Sequence, residues 1–328
     1  MMKIREIYYK AIKRGIELDP RGRGEVGREL ASLKKEYGEL SDKKKKGFDT
    51  ERLTNPYSDT RILVGDPETS VKRALVGIDI EVGEIMLADR LSQGKKPIDL
   101  VIAHHPEGRA MATLHEVMDM QSGILKNFGV PINVAEGIMS ERIDEVERKL
   151  MPVNHTRALD AARLLGMPLM CIHTPSDNAV QDYLQGLFDE KKPHDVSDVI
   201  DMLREIPEYA AALDETIAPK VVSGDAKRTA GKVFVDMTGG TGGSKLAYEK
   251  LATAGVGTVV GMHIGEDHRK EAARHHINVV IAGHIASDNL GLNLLFDHIL
   301  EGVEVVACSG FRRIERGRAV HKAKKSRG

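Results

Sequence analysis

The chain has no tryptophan, and aromatic residues make up only 4 % of its 328 positions. A surface that stacks nucleobases needs several such rings, so a nucleic-acid platform is disfavoured. The formal charge of -1, from 48 basic and 49 acidic residues, also lacks the excess of cations that a phosphate backbone demands. Cysteine is nearly missing. Cys171 and Cys308 both fall in apolar, strand-like runs, which argues against thiolate metal ligation and for a reduced cytoplasmic protein with buried thiols. No apolar run approaches the ~18 residues of a membrane span, and the opening segment through Ile7 lacks the apolar centre of a secretory signal. A cytoplasmic protein without membrane attachment is the expectation.

What is present describes an ordinary globular chain, with 41 % hydrophobic and 30 % charged residues, long enough for one large or two medium domains. Apolar runs near 73–80, 98–104, 130–135, 168–173, 232–237, 257–262, 277–282 and 303–308 read as strands. Helical patterns lie between them, as at Glu141–Leu150, Ala158–Leu165, Val196–Ile206 and Lys245–Leu251. Such alternation predicts an α/β fold. Ile4, Ile7, Tyr8, Ala11 and Ile12, then Val26, Leu30, Leu33 and Tyr37, recur at helical spacing on either side of the turn Asp19–Gly24. The expected organisation is a helical N-terminal extension over 1–55, a first α/β lobe over 56–180, a helical connector over 181–230, a second lobe over 231–312 and a basic tail over 313–328. The lysine run Lys43–Lys46 reads as a solvated linker.

Histidine supplies the chemistry. The run Asp99-Leu-Val-Ile-Ala-His104-His105-Pro106 delivers two adjacent imidazoles to the end of a buried strand that Pro106 stops. In open α/β sheets ligands collect at that end, and neutral imidazole is a common ligand for divalent transition metals. Two further strand ends repeat the placement, His173-Thr-Pro-Ser-Asp177 and Gly283-His284-Ile-Ala-Ser-Asp288. A helix beginning at His284 would set His284 and Asp288 on one face. The second pair, His275-His276, closes a helical stretch before a strand and reads as structural.

The first and third histidine strands echo each other, Leu-Val-Ile-Ala-His-His105 beside Val-Val-Ile-Ala-Gly-His284. Leu75-Val-Gly-Ile-Asp79 and Val259-Val-Gly-Met-His263 precede them in the same order. Two related lobes with mixed sheets, facing each other across a site, would follow from a duplication. The strand Val233–Asp236 runs into Gly239-Gly-Thr-Gly-Gly243-Ser-Lys245, a glycine-rich turn that either cradles an anion on its amides or simply lets the backbone approach a neighbour. It lacks the Gly-Lys-Ser/Thr ending of a P-loop.

Asp79, the His-His-Pro106 motif, His173 to Asp177, the loop Gly239–Ser244 and the Gly283-His284 motif together resemble the Nif-three-like family of dinuclear metal proteins. That family includes proteins named as GTP cyclohydrolase I type 2 homologues. The resemblance runs from about residue 60 to 310. It implies two lobes with two divalent ions between them, held by His104, His105, Asp177, His284 and Asp288, in a ring-like homohexamer. The chain departs from the family in carrying Asp288 where Glu is usual, in its approach Asn55–Asp66 to the first strand, and in its N-terminal helices. A competing motif, His155-Thr-Arg-Ala-Leu-Asp160, has one residue too many between His and Asp.

Two divalent ions against two carboxylates would leave about two positive charges, which favours an anionic small-molecule substrate. Oxygen and nitrogen ligands suit zinc, manganese or iron. One reading is a metal-dependent hydrolase of a phosphate-bearing or heterocyclic small molecule such as a nucleotide, with Gly239, Gly240, Gly242 and Gly243 receiving an anion. In it His173, His263 or His268 orients substrate or moves protons. The other reading is a metal-containing scaffold or regulatory binding protein.

Overall fold

A computed structural model describes residues 2–215 and 219–316; the basic tail from residue 317 onward lies outside the described residues. Eleven strands are described: β1 Met2–Lys3, β2 Arg61–Val64, β3 Ser70–Val71, β4 Arg73–Gly77, β5 Leu100–Ala103, β6 Leu169–Cys171, β7 Lys220–Ser223, β8 Lys232–Asp236, β9 Val256–Gly261, β10 Asn278–Ile281 and β11 Glu304–Cys308. Apart from the short antiparallel pair β1–β3, they form a five-stranded sheet in the order β11-β4-β5-β6-β2 and a four-stranded sheet in the order β7-β10-β9-β8. Each is parallel but for one antiparallel edge strand, β2 or β7. Both are the mixed sheets flanked by helices that the alternating pattern predicts.

The inner strands are apolar on both faces because both faces are covered. Ala74, Val76, Leu100, Ile102 and Met170 pack with the helix Ile4–Leu18 and the helix His284–Ile299, while Leu75, Val101, Ala103, Leu169 and Cys171 pack toward the helices Val82–Ser92 and Arg157–Leu164. The second sheet divides the same way. Val233 and Val235 face the helices Thr174–Lys191, Val196–Arg204 and Pro207–Glu215, and Phe234, one position between them, faces the opposite cluster with Met139 and Leu251. The helix His284–Ile299 lies between the sheets, giving Leu290 and Leu294 to one core and Leu292, Leu295 and Phe296 to the other. Burial on both sides explains why it is apolar nearly all round.

Three local readings change. Val130-Pro-Ile-Asn-Val-Ala looks like a strand, but Pro131 starts the helix Ile132–Leu150, whose buried Ala135, Met139 and Val146 follow helical spacing. The strand near 303–308, placed with the second lobe by its position in the chain, pairs with β4 in the first sheet. Residues 220–223, within the expected helical connector, form the edge strand β7. Short apolar runs declare a strand and leave its partner open. The two sheets nonetheless send the C-terminal ends of their central strands toward one region, with Asp79, His104 and His173 following β4, β5 and β6, and His263 and His284 following β9 and β10.

Candidate metal centre

His104 and His105 leave β5 directly, their amides bonded to the Gly77 and Ile78 carbonyls at 3.0 and 2.9 Å. His173 follows β6 and precedes the helix Thr174–Lys191, where Pro175 sits in the first turn and Asp177 one turn in. Gly283, at φ 109°, takes a backbone conformation open to glycine and turns β10 straight into the helix that starts at His284. The expected i,i+4 pair forms there, with His284 Nε2 3.6 Å from Asp288 Oδ2.

Three imidazoles are oriented alike. Nδ1 of His104 faces the Ile172 carbonyl at 3.1 Å, Nδ1 of His105 faces Asp79 Oδ1 at 2.7 Å, and Nδ1 of His173 faces Asp59 Oδ2 at 2.8 Å. Those oxygens only accept, so Nδ1 donates in each ring and Nε2 is turned to the centre. The Thr174 hydroxyl also donates to Asp59, fixing the carboxylate behind His173. In the centre His104 Nε2 lies 3.5 Å from Asp177 and 3.4 Å from Asp288, and His105 Nε2 lies 3.5 Å from Asp288.

Three overlapping groups could hold one or two metal ions: His104, His105 and His173; His105, His284 and Asp288; His104, Asp177 and Asp288. Within each group the candidate ligand atoms lie within 4.8 Å of one another. His104 Nε2, Asp177 Oδ1 and both Asp288 oxygens are buried without a hydrogen-bond partner. Each such atom costs on the order of 1–3 kcal/mol unless something satisfies it, and a shared cation satisfies all of them together. The donor set therefore fits a divalent ion. Its electrostatics agree: burial alone would lower His105, but the neighbouring carboxylates of Asp288 and Asp79 outweigh it and push the ring up to about 10. Burial holds Asp177 well above the usual carboxylate range, whereas His104 and His105 outweigh burial at Asp288 and hold it well below. Burial lowers His284 to about 4.

All five residues expected as ligands converge, and His173 joins them. Of the other histidines singled out, His263 packs against His284 in a tilted contact, 5.1 Å between ring centroids, and is held below the usual imidazole value by burial. His268 sits behind the glycine loop, bonded to the Gly243 carbonyl at 2.9 Å. His155 is at the cleft mouth and bonds the Leu150 carbonyl, while Asp160 pairs with Arg163. The cleft, about 1280 Å³ with the solvent at its mouth, runs from His105, Asp177 and His284 to Gly240 and Gly242. Sequence reasoning misses Asp59 and Gln121, whose partners lie more than a hundred positions away.

No family model matches the chain, and no curated protein does. Among solved structures, a NIF3 superfamily protein from Sphaerobacter thermophilus is 30 % identical, with 77 % of this chain and 92 % of that one covered at a TM-score of 0.68. Reduced HcgD from Methanocaldococcus jannaschii is 16 % identical, over 75 % and 87 % of the two chains, with a TM-score of 0.47. A Bacillus cereus protein related to NIF3 is 12 % identical, over 76 % and 91 %, with a TM-score of 0.40.

Proposed function

The chain belongs to the NIF3 superfamily, and from that premise we propose that it is a divalent-metal-dependent hydrolase of a phosphate-bearing or heterocyclic small molecule, such as a nucleotide. The observation that carries this reading is the set of buried, partnerless ligand atoms on His104, Asp177 and Asp288 at the end of an open cleft. A structural site would be closed on every side, and a site that keeps a face toward a cleft is arranged for exchange. His104, His105, Asp177, His284 and Asp288 would hold two ions of zinc, manganese or iron, with His173 as a further donor at the same point. Bound there, such ions supply Lewis acidity and lower the pKa of coordinated water to about 7.

The protein's own residues do the rest. Asp79 and Asp59 hold the rings of His105 and His173 in one tautomer and one orientation. His263, neutral at pH 7 and reaching the cleft beside His284, is placed to take a proton from a substrate. Met111, Leu114 and Met262 supply apolar wall. A cytoplasmic homohexamer is the setting that composition and family resemblance support.

The first test is metal content per chain, by plasma emission, of protein purified without chelator, for wild type and His105→Ala. About two ions per chain, fewer in the variant, with phosphatase, phosphodiesterase or nucleotide hydrolysis proportional to metal, is the expected result. Full metal content with no turnover across that screen would favour the scaffold reading. No metal, and none taken up on titration with zinc, manganese or iron, would overturn both.

A further inference from the structure

The segment Gly239–Gly243 has its carbonyls captured by side chains. Gln121 Nε2 donates to the Gly239 carbonyl at 2.6 Å and to the Thr241 carbonyl at 2.7 Å, and Arg142 Nε donates to the Gly242 carbonyl at 2.9 Å. In a trans peptide the N–H points away from the carbonyl of the preceding residue, and the described chain has no cis peptide. The amides of Gly240 and Gly242 are therefore turned away from Gln121, and that of Gly243 away from Arg142. None of the three donates to an acceptor among the described residues. Gly240, Thr241 and Gly242 line the same cleft as the metal-ligand cluster. A Cβ on Gly239 would sit 2.6 Å from Gln121 Cγ, and one on Gly243 2.3 Å from Gln121 Oε1, so Gln121 occupies the space that side chains would take.

The position relative to the ligand cluster decides what such a loop could hold. A Cβ on Gly242 would lie 3.9 Å from His263 Cε1, and the His263 ring is in turn 5.1 Å from the His284 ring. We propose that the loop is a phosphate cradle, holding a phosphoryl group of the substrate on the Gly240 and Gly242 amides and the Thr241 hydroxyl, one imidazole away from the metal centre. The phosphoryl group is then the handle by which the substrate is held, and the bond to be broken lies beyond His263, toward His105 and Asp288. This narrows the substrate to a phosphorylated small molecule whose reacting group is a different part of it. The assignment of handle and reacting end rests on the hydrolase reading, whereas the cradle itself needs no metal.

Isothermal titration of inorganic phosphate into the full chain, with metal bound and after chelation, tests this in wild type, Gln121→Glu, Gly242→Asp and His105→Ala. Saturable binding that survives chelation and His105→Ala is expected. It should weaken about tenfold or more in Gln121→Glu, which sets an acceptor against two carbonyls, a change on the scale of one charge-assisted hydrogen bond. Gly242→Asp, with nothing packed against that position closer than 3.9 Å, should weaken it likewise and covers the case in which Gln121→Glu fails to fold. Binding that disappears with the metal and in His105→Ala but is intact in Gly242→Asp would assign phosphate to the ions and overturn the cradle, as would no binding in any state. Metal content read in parallel separates the two ideas: metal without phosphate binding removes the cradle alone, and phosphate binding without metal removes the hydrolase reading alone.

Discussion

Asp236 shows what a single side chain costs in this fold. It ends β8 between the cleft and a small cavity behind the glycine loop, whose walls include Ile124, Leu125, Phe234 and Tyr248. Burial raises its carboxyl from 3.8 to about 6, with His268 only partly opposing. A folded pKa above the unfolded one means that the native state holds the proton more tightly. The contribution is fully present below about pH 4 and is lost as pH rises through 6. Asp236→Asn should therefore raise the melting temperature at pH 7.5 by about 2–5 °C, from about 1–2 kcal/mol, and by much less at pH 4. Thermal melts at the two pH values check it, and an equal shift at both would mean that ionisation of Asp236 is not what costs stability. The sequence could not single out Asp236 in this role, since nothing local marks that this strand-end acid is partly buried. His104, His105, His173 and His284 are legible because each directly follows an apolar strand, and Asp177 and Asp288 because each lies one helical turn further on.

At the scale of elements, two helices make the site, and a glycine sets their separation. A Cβ on Gly291 would come within 2.5 Å of the Ser176 carbonyl oxygen, so the helices Thr174–Lys191 and His284–Ile299 approach as closely as they do only with glycine there. The close approach is what lets Asp177 on one helix and Asp288 on the other both reach His104 Nε2. Gly291→Ala should cost about 1–3 kcal/mol by overpacking against backbone, and should weaken metal binding because it spreads the two carboxylates. Gly186→Ala is the control. That position is exposed, with nothing within 4 Å, so alanine there should stabilise by roughly 0.5–1 kcal/mol and leave metal binding alone. Denaturant unfolding and competition titration with a chromophoric chelator measure both, and an unchanged metal affinity in Gly291→Ala would break the link between helix spacing and the site. Helix positions were mostly readable from apolar spacing, but this crossing was not, since a sequence carries no mark of which two buried helices meet. The segment near 130 misled for a related reason: four apolar residues around Pro131 fit a strand as well as the first turn of a helix.

For the whole molecule, the N-terminal residues that look like an addition belong to the core. Ile4, Ile7, Ile12 and Tyr8 are buried against the first sheet and the helix His284–Ile299. At about 1.5–3 kcal/mol each, their burial comes to roughly 6–12 kcal/mol, comparable with the entire 5–15 kcal/mol stability of a typical domain. The same helix is tied to the site. Asn178, next to Asp177, donates to the Gly15 carbonyl and to the Tyr57 hydroxyl, both at 3.2 Å, and accepts from the Thr238 hydroxyl at 2.7 Å just before the glycine loop. Tyr57 in turn donates to Asp19 at 2.9 Å, and Arg21 closes the chain on Asp19 at 2.9 Å. The helix Arg23–Glu39 is different, with Val26 its one buried residue, so the segment a sequence reading treats as one extension divides into a core helix and an exposed one. A chain beginning at residue 23 should thus fail to give a cooperative melt or to retain metal. Tyr57→Phe, which keeps the ring and removes the hydroxyl that donates to Asp19 and accepts from Asn178, should fold, lose about 1–2 kcal/mol and weaken metal binding through Asn178. Circular dichroism melts and metal content of the two variants decide the matter: a truncated chain that melts cooperatively with its metal intact would return the first helix to the status of an appendage, and Tyr57→Phe with wild-type metal affinity would leave it a purely structural part of the core.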